Sequence, residues 1–194
     1  MFIHKELNKM RIIAGEYRSR SIEAVPGNQT RPTTDKIKEA IFSRIGPYFD
    51  GGNMLDLFGG SGNMSLEAIS RGITHSLIAD VSYSAISTIK KNVKSLGVEN
   101  QVTIWKMDYR KVLKKAADEQ MKFDLVYLDP PYKKQQILSI LEFIDEHELM
   151  NEDGDIVCES LKEDTFPETV GSLHQVKDVT YGITRITYYR KRGV

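Results

Sequence analysis

Met54-Leu55-Asp56-Leu57-Phe58-Gly59-Gly60-Ser61-Gly62 reads as a buried strand that runs straight into a glycine turn. Met64, Ala68 and Ile69 then recur at helical spacing, and Gly72 after Arg71 stops that helix. Working outward, Ser76-Leu77-Ile78-Ala79-Asp80 is a second strand. Ala85, Ile86, Ile89, Val93 and Leu96 mark a second helix, with Ser82 or Ser84 as its N-cap and Gly97 closing it. Residues 102–105 give a third strand. Phe123–Leu128 gives a fourth, ended by Pro130 and Pro131, which cannot serve a central ladder. The spacing predicts a helix over about 135–150 and a fifth strand over 155–159. Two more β-rich runs follow at 175–180 and 183–189, with Gly182 between them at hairpin spacing. Continuous apolar strands alternating with helices imply an α/β fold, a mostly parallel seven-stranded sheet covered on both faces with its last strand antiparallel.

The remaining composition narrows the class. The chain has 194 residues and equal numbers of basic and acidic side chains, 27 of each, enough length for one sizeable core. Mean hydropathy is −0.37, and no apolar run approaches the roughly 20 residues of a membrane span. Met1-Phe2-Ile3-His4-Lys5-Glu6 lacks the apolar core of a signal peptide. Cys158 is the only cysteine, so a reducing cytoplasm is expected, and the scattered His4, His75, His147 and His174 predict no metal site. Charge is segregated: up to Arg44 nine basic residues face five acidic ones, whereas over 145–168 ten carboxylates face only Lys162. Residues 1–30 differ in texture, with a hairpin-like 11–18 and a turn at Pro26-Gly27-Asn28. They read as an extension and docking hairpin too small for its own core, ahead of the main domain at 31–194.

Two motifs carry chemistry. Glycines after a strand let the backbone approach a ligand closely, and Asp80, 18 residues after Gly62, stands where a carboxylate would hold ribose hydroxyls. Position 65 is Ser, so the dinucleotide register of glycines is absent, as is the Gly-Lys-Ser/Thr of a phosphate loop. An adenosine-type ligand with little or no phosphate fits better. The second motif is Asp129-Pro130-Pro131-Tyr132, at the carboxyl end of the fourth strand. Its two prolines fix a rigid turn. Asp129 and the Pro130 carbonyl are two acceptors beside the Tyr132 ring, which suits a planar group bearing an NH₂.

These motifs resemble the S-adenosylmethionine-dependent amino-methyltransferases. Arg11-Ile12-Ile13-Ala14-Gly15, Arg31-Pro32-Thr33-Thr34-Asp35 and Leu66-Glu67-Ala68-Ile69-Ser70-Arg71-Gly72 narrow the resemblance to the RsmD family of 16S rRNA guanine-N2 methyltransferases. It covers nearly the whole chain from Met10. Gly60 departs from the alanine common in such enzymes. The resemblance implies a Rossmann-like class I methyltransferase fold with a small N-terminal β-hairpin. It implies S-adenosylmethionine as cofactor, released as S-adenosylhomocysteine. It also implies 16S rRNA as partner, in a small-subunit particle.

By position, the resemblance assigns the cofactor to Asp56, Phe58, Gly60, Gly62, Asp80, Met107 and Asp108, with Asp80 on the ribose and Asp108 on the adenine amine. Asp108 also reads as the N-cap of a helix over 109–116. Catalysis falls to Asp129, Pro130 and Tyr132, with Asp129 ionised. Arg11, Arg18, Arg20 and Arg31 are the expected RNA contacts, and Arg31 lies just before a helix whose apolar stripe is Ile37, Ala40, Ile41 and Ile45. Two other functions fit the residues: an amino-methyltransferase of adenine or cytosine in DNA, and a non-catalytic nucleotide-binding module.

Overall fold

The computed structural model describes residues 10–27, 34–131 and 134–192. Tyr132 and Arg31 lie outside them. The hairpin at the start pairs β1 (Met10–Arg11) with β2 (Ser21–Ile22), so its turn is later than expected and Arg18 sits in it. The helix α1 (Asp35–Ile45) follows, capped by Thr34, whose hydroxyl accepts the Ile37 N–H at 3.3 Å. The alternating part then runs β3 (Asn53–Asp56), α2 (Asn63–Ser70), β4 (His75–Asp80), α3 (Tyr83–Leu96), β5 (Val102–Lys106), α4 (Tyr109–Asp118), β6 (Phe123–Leu128) and α5 (Lys134–Glu146). The chain closes with β7 (Met150–Leu161), β8 (Thr169–Val170), β9 (Leu173–Tyr181) and β10 (Thr184–Lys191).

The main sheet has the order β5-β4-β3-β6-β7-β10-β9-β8. Strands β5, β4, β3, β6 and β7 are mutually parallel. The last strand, β10, enters antiparallel between β7 and β9. Seven of these strands were legible; the eighth is the two-residue edge strand β8, too short to show a period. Two boundaries also moved. Helix α5 ends at Glu146 because Glu148 takes φ +50° and Leu149 N–H returns to Ile144, a left-handed stop that usually advertises itself with glycine. Strand β7 therefore begins at Met150.

Apolar side chains cover both faces. Leu55, Leu57, Val126, Leu128, Ile156 and Cys158 pack with Val112 and Leu113 of α4 and Ile140, Leu141 and Ile144 of α5. On the opposite face Met54, Leu125, Tyr127 and Val157 pack with Ile41 and Phe42 of α1, and Ile78 packs with α3 and the hairpin residues Met10, Ile12 and Ile22. Each fully buried Ile or Phe of α1 contributes about 1.5–3 kcal/mol. No helix is long and apolar enough to cross a membrane among the described residues.

The hairpin is held by polar contacts as well. Glu67 of α2, fully buried, accepts the backbone N–H groups of Ile13 at 2.8 Å and Ala14 at 3.1 Å. The same carboxylate pairs with Lys38 at 3.0 Å and Arg71 at 2.8 Å. Gly15 passes so close to α2 that a Cβ there would stand 1.8 Å from the Ser70 carbonyl oxygen. The acidic stretch is largely structural too. Asp155 takes Arg190 bidentately at 2.9 and 3.0 Å, and Asp145 accepts Ser172 N–H at 2.8 Å.

Candidate active site

Strands β4 and β5 extend the sheet on one side of β3, and β6 continues it on the other. The crevice at the carboxyl ends of β3 and β6 is therefore the switch point at which open α/β sheets bind ligands. A cleft of about 1310 Å³ opens there. Its walls carry Phe58, Gly60, Asp80, Met107 and Asp108 at one end, and Asp129, Pro130 and Glu159 at the other. The hairpin segment contributes Val25, Pro26 and Gly27, so the extension forms part of the wall.

At the first end the glycine turn is pressed against β4. A Cβ on Gly59 would stand 2.3 Å from Ile78 Cγ2, which only glycine avoids. The next N–H, of Gly60, donates to Asp80 Oδ2 at 3.0 Å, while Asp80 Oδ1 accepts Ser82 N–H at 2.8 Å. Asp80 thus holds the turn and the start of α3 in one geometry. Asp108 caps α4 by accepting Arg110 N–H at 3.0 Å, and it lines the cleft at the same time. The Phe58 and Tyr109 rings stand 5.5 Å apart and give the cleft a flat aromatic boundary.

Asp56 lies beneath the turn. Its Oδ2 accepts Ser65 Oγ–H at 3.0 Å, and its Oδ1 is buried without a hydrogen-bond partner. Burial pushes its carboxyl up to about 7, and the Asp80 charge adds to this. An unpartnered carboxylate oxygen at this depth is suited to an ammonium group.

At the second end, Tyr127 and Asp129 alternate onto the same face of β6. The register pairs Tyr127 with Val157 and Leu128 with Cys158, which brings Asp129 level with Glu159. Tyr127 donates its hydroxyl to Glu159 Oε2. The surface that Asp129 exposes opens onto the cleft. Crowding by the cleft walls, then the carboxylates of Glu159 and Asp56, push its carboxyl well above the ordinary carboxylate range. The expectation of an ionised Asp129 is corrected accordingly: the protein's own groups favour the protonated form, and a cation in the cleft is needed to oppose them.

The remaining expected residues divide. Gly62 lies at the base of the turn as the N-cap of α2 with φ +80°. Arg11 pairs with Asp35 at 2.8 Å, and Arg20 donates to the Ser95 carbonyl at 2.6 Å. These partners stabilise the hairpin, and Arg18 is left exposed on its turn. Cys158 is fully buried, and burial pushes its thiol far up, so it offers no nucleophile to the cleft. Sequence reasoning missed Glu159, Tyr127 and Gln136, whose Oε1 is buried without a partner on the cleft wall. Only the β6–β7 register reveals the first two.

Comparison with known proteins agrees with this geometry. YlbH of Bacillus subtilis, named as a candidate rRNA methyltransferase, is 47% identical over 95% of this chain and 100% of its own. Ribosomal RNA small subunit methyltransferase D of Buchnera aphidicola is 30% identical over 80% of each chain. A structure from Escherichia coli, titled as a candidate methyltransferase YhhF, superposes with a TM-score of 0.84 at 22% identity, covering 96% of this chain and 99% of that one. Residues 10–190 match the family described as conserved hypothetical protein 95, and the chain belongs to that family, the family of RsmD.

Proposed function

We propose that this chain transfers a methyl group from S-adenosylmethionine to the exocyclic N2 of a guanine in 16S rRNA, presented within a small-subunit particle in the cytoplasm. The observation that carries the reading is the acceptor pair of Asp129 and the Pro130 carbonyl, at the switch point of the sheet, in one cleft with Asp80 and Asp108. The names of the relatives, rRNA methyltransferases of the small subunit among them, support the same substrate class.

The residues present fit the cofactor. The unpartnered Asp56 Oδ1 matches an amino-acid ammonium, Asp80 retains lone pairs for ribose hydroxyls, and Phe58, Met107 and Asp108 suit an adenine. When bound, S-adenosylmethionine supplies an electrophilic sulfonium methyl. The protein's task is then positioning. A guanine amine is a poor nucleophile because its lone pair is delocalised into the ring. Acceptance of its two hydrogens by Asp129 and the Pro130 carbonyl turns that lone pair outward, and Asp129 is placed to take the proton that is lost. Tyr132 would stack on the base. The target must leave its stack to reach Asp129, so a flipped or loop nucleotide is required.

Nucleoside mass spectrometry of small-subunit rRNA, from cells lacking the protein and from cells with it restored, tests the reading. Loss and recovery of one N2-methylguanosine is the expected result. A change in 5-methylcytosine, or a signal confined to DNA, would overturn it.

A further inference from the structure

Asp129 is not alone at its end of the cleft. Parallel β6 and β7 place Asp129 beside Glu159 on the same face, and both line the cleft. Glu159 is half-buried and oriented by the Tyr127 hydroxyl from the strand that carries Asp129. A carboxylate has about four acceptor positions, so the Tyr127 bond leaves it able to accept from a ligand. The motif that supplies the amine's acceptors is complete without Glu159. A second carboxylate, which raises the electrostatic cost of the first, calls for a separate role.

We propose that Glu159 selects the base, accepting the ring N1–H of guanine while Asp129 and the Pro130 carbonyl hold the neighbouring N2 amine. This rests on the guanine-N2 reading above and extends it. Guanine is the base whose exocyclic amine adjoins a ring N–H. In adenine and cytosine the ring nitrogen beside the amine carries a lone pair, which would meet the Glu159 carboxylate unpaired and repelled. Two carboxylates side by side thus match guanine's run of three donor hydrogens and reject the other amino bases. Sites that hydrogen-bond a particular N–H discriminate strongly because the wrong ligand leaves buried groups unpaired. Tyr127 is a positioning residue for Glu159 in this account.

The test uses 2-aminopurine, which keeps the N2 amine but has an acceptor at N1. Small-subunit particles are assembled on 16S transcripts carrying guanine or 2-aminopurine at the nucleotide the wild-type protein modifies. For wild type, kcat/KM should favour guanine by about 10–100-fold, the worth of one charge-assisted hydrogen bond. Glu159→Gln keeps an acceptor for Tyr127 and can turn an amide N–H to the 2-aminopurine N1, so the preference should fall to within a few-fold of unity. Tyr127→Phe, which frees Glu159 to swing, should lower the preference in the same direction. A folded Glu159→Gln protein that keeps the wild-type preference, or is inactive on both bases, overturns the inference, as does an unchanged preference in Tyr127→Phe. Failure of the wild-type protein to methylate any guanine amine would instead overturn the functional reading.

Discussion

The carboxylate of Asp80 accepts the backbone N–H of Gly60 at 3.0 Å, tying the end of β4 to the glycine turn that leaves β3. The side chain assigned to a ribose is therefore also the latch of the loop beside it. Asp80→Asn retains one acceptor oxygen and sets an amide N–H against either Gly60 or Ser82. It should lower stability by about 1–2 kcal/mol and weaken cofactor binding at least tenfold. Thermal unfolding and titration calorimetry measure the two effects. Unchanged affinity would separate Asp80 from the cofactor.

Asp129→Asn leaves the shape of the cleft intact but removes the charge that faces the amine. Methyl transfer should fall about 10²–10³-fold, the usual loss for one preorganised electrostatic contact, while cofactor affinity stays within a few-fold. A tritium-transfer assay beside calorimetry checks both. Near-wild-type turnover would remove Asp129 from the reaction.

Asp56 should make binding and stability respond oppositely to pH. Its carboxyl lies at about 7 in the folded protein, against 3.8 for an ordinary aspartate. Between these values the folded state holds a proton that the unfolded state has released. Stability from this group therefore falls as pH rises from about 4 to 7, by at most about 4 kcal/mol at 1.36 kcal/mol per pH unit. An ammonium ligand needs the ionised form, so cofactor affinity should rise with pH through 7. Asp56→Asn should raise neutral-pH stability, flatten the difference across that window and weaken cofactor binding. Parallel affinity profiles for variant and wild type would dissociate Asp56 from the ammonium.

Glu67 is the anchor of the hairpin. Glu67→Gln would leave the Lys38 and Arg71 charges poorly compensated in the core and weaken the bonds to Ile13 and Ala14, at a cost of about 3–5 kcal/mol. Gly15→Ala acts more locally, since a Cβ there meets the Ser70 carbonyl oxygen at 1.8 Å. Its expected signature is faster hydrogen exchange over residues 12–20 with little change in the parallel core. Uniform protection in Gly15→Ala would mean that the hairpin docks by other contacts.

The sequence by itself determined the parallel core, because continuous apolar strands, glycine turns and capped helices are local signals. Asp56, Asp80 and Asp129 stood out for the same reason: each sits at a strand end next to a turn whose residue types restrict the backbone. The acidic run over 145–168 was opaque, since its partners Arg190 and Ser172 lie far along the chain and meet it only when β10 pairs with β7 and β9 packs beside it. The end of α5 was hidden because Glu148 takes a left-handed conformation without being glycine. Glu67, visible only as part of a familiar string, proved to be a buried junction between the hairpin, α1 and α2. Glu159 lies 30 residues from Asp129, and no periodicity links them. Only the register of two parallel strands decides that these carboxylates share a face, because cross-strand neighbours are set by pairing in the sheet and not by distance along the chain.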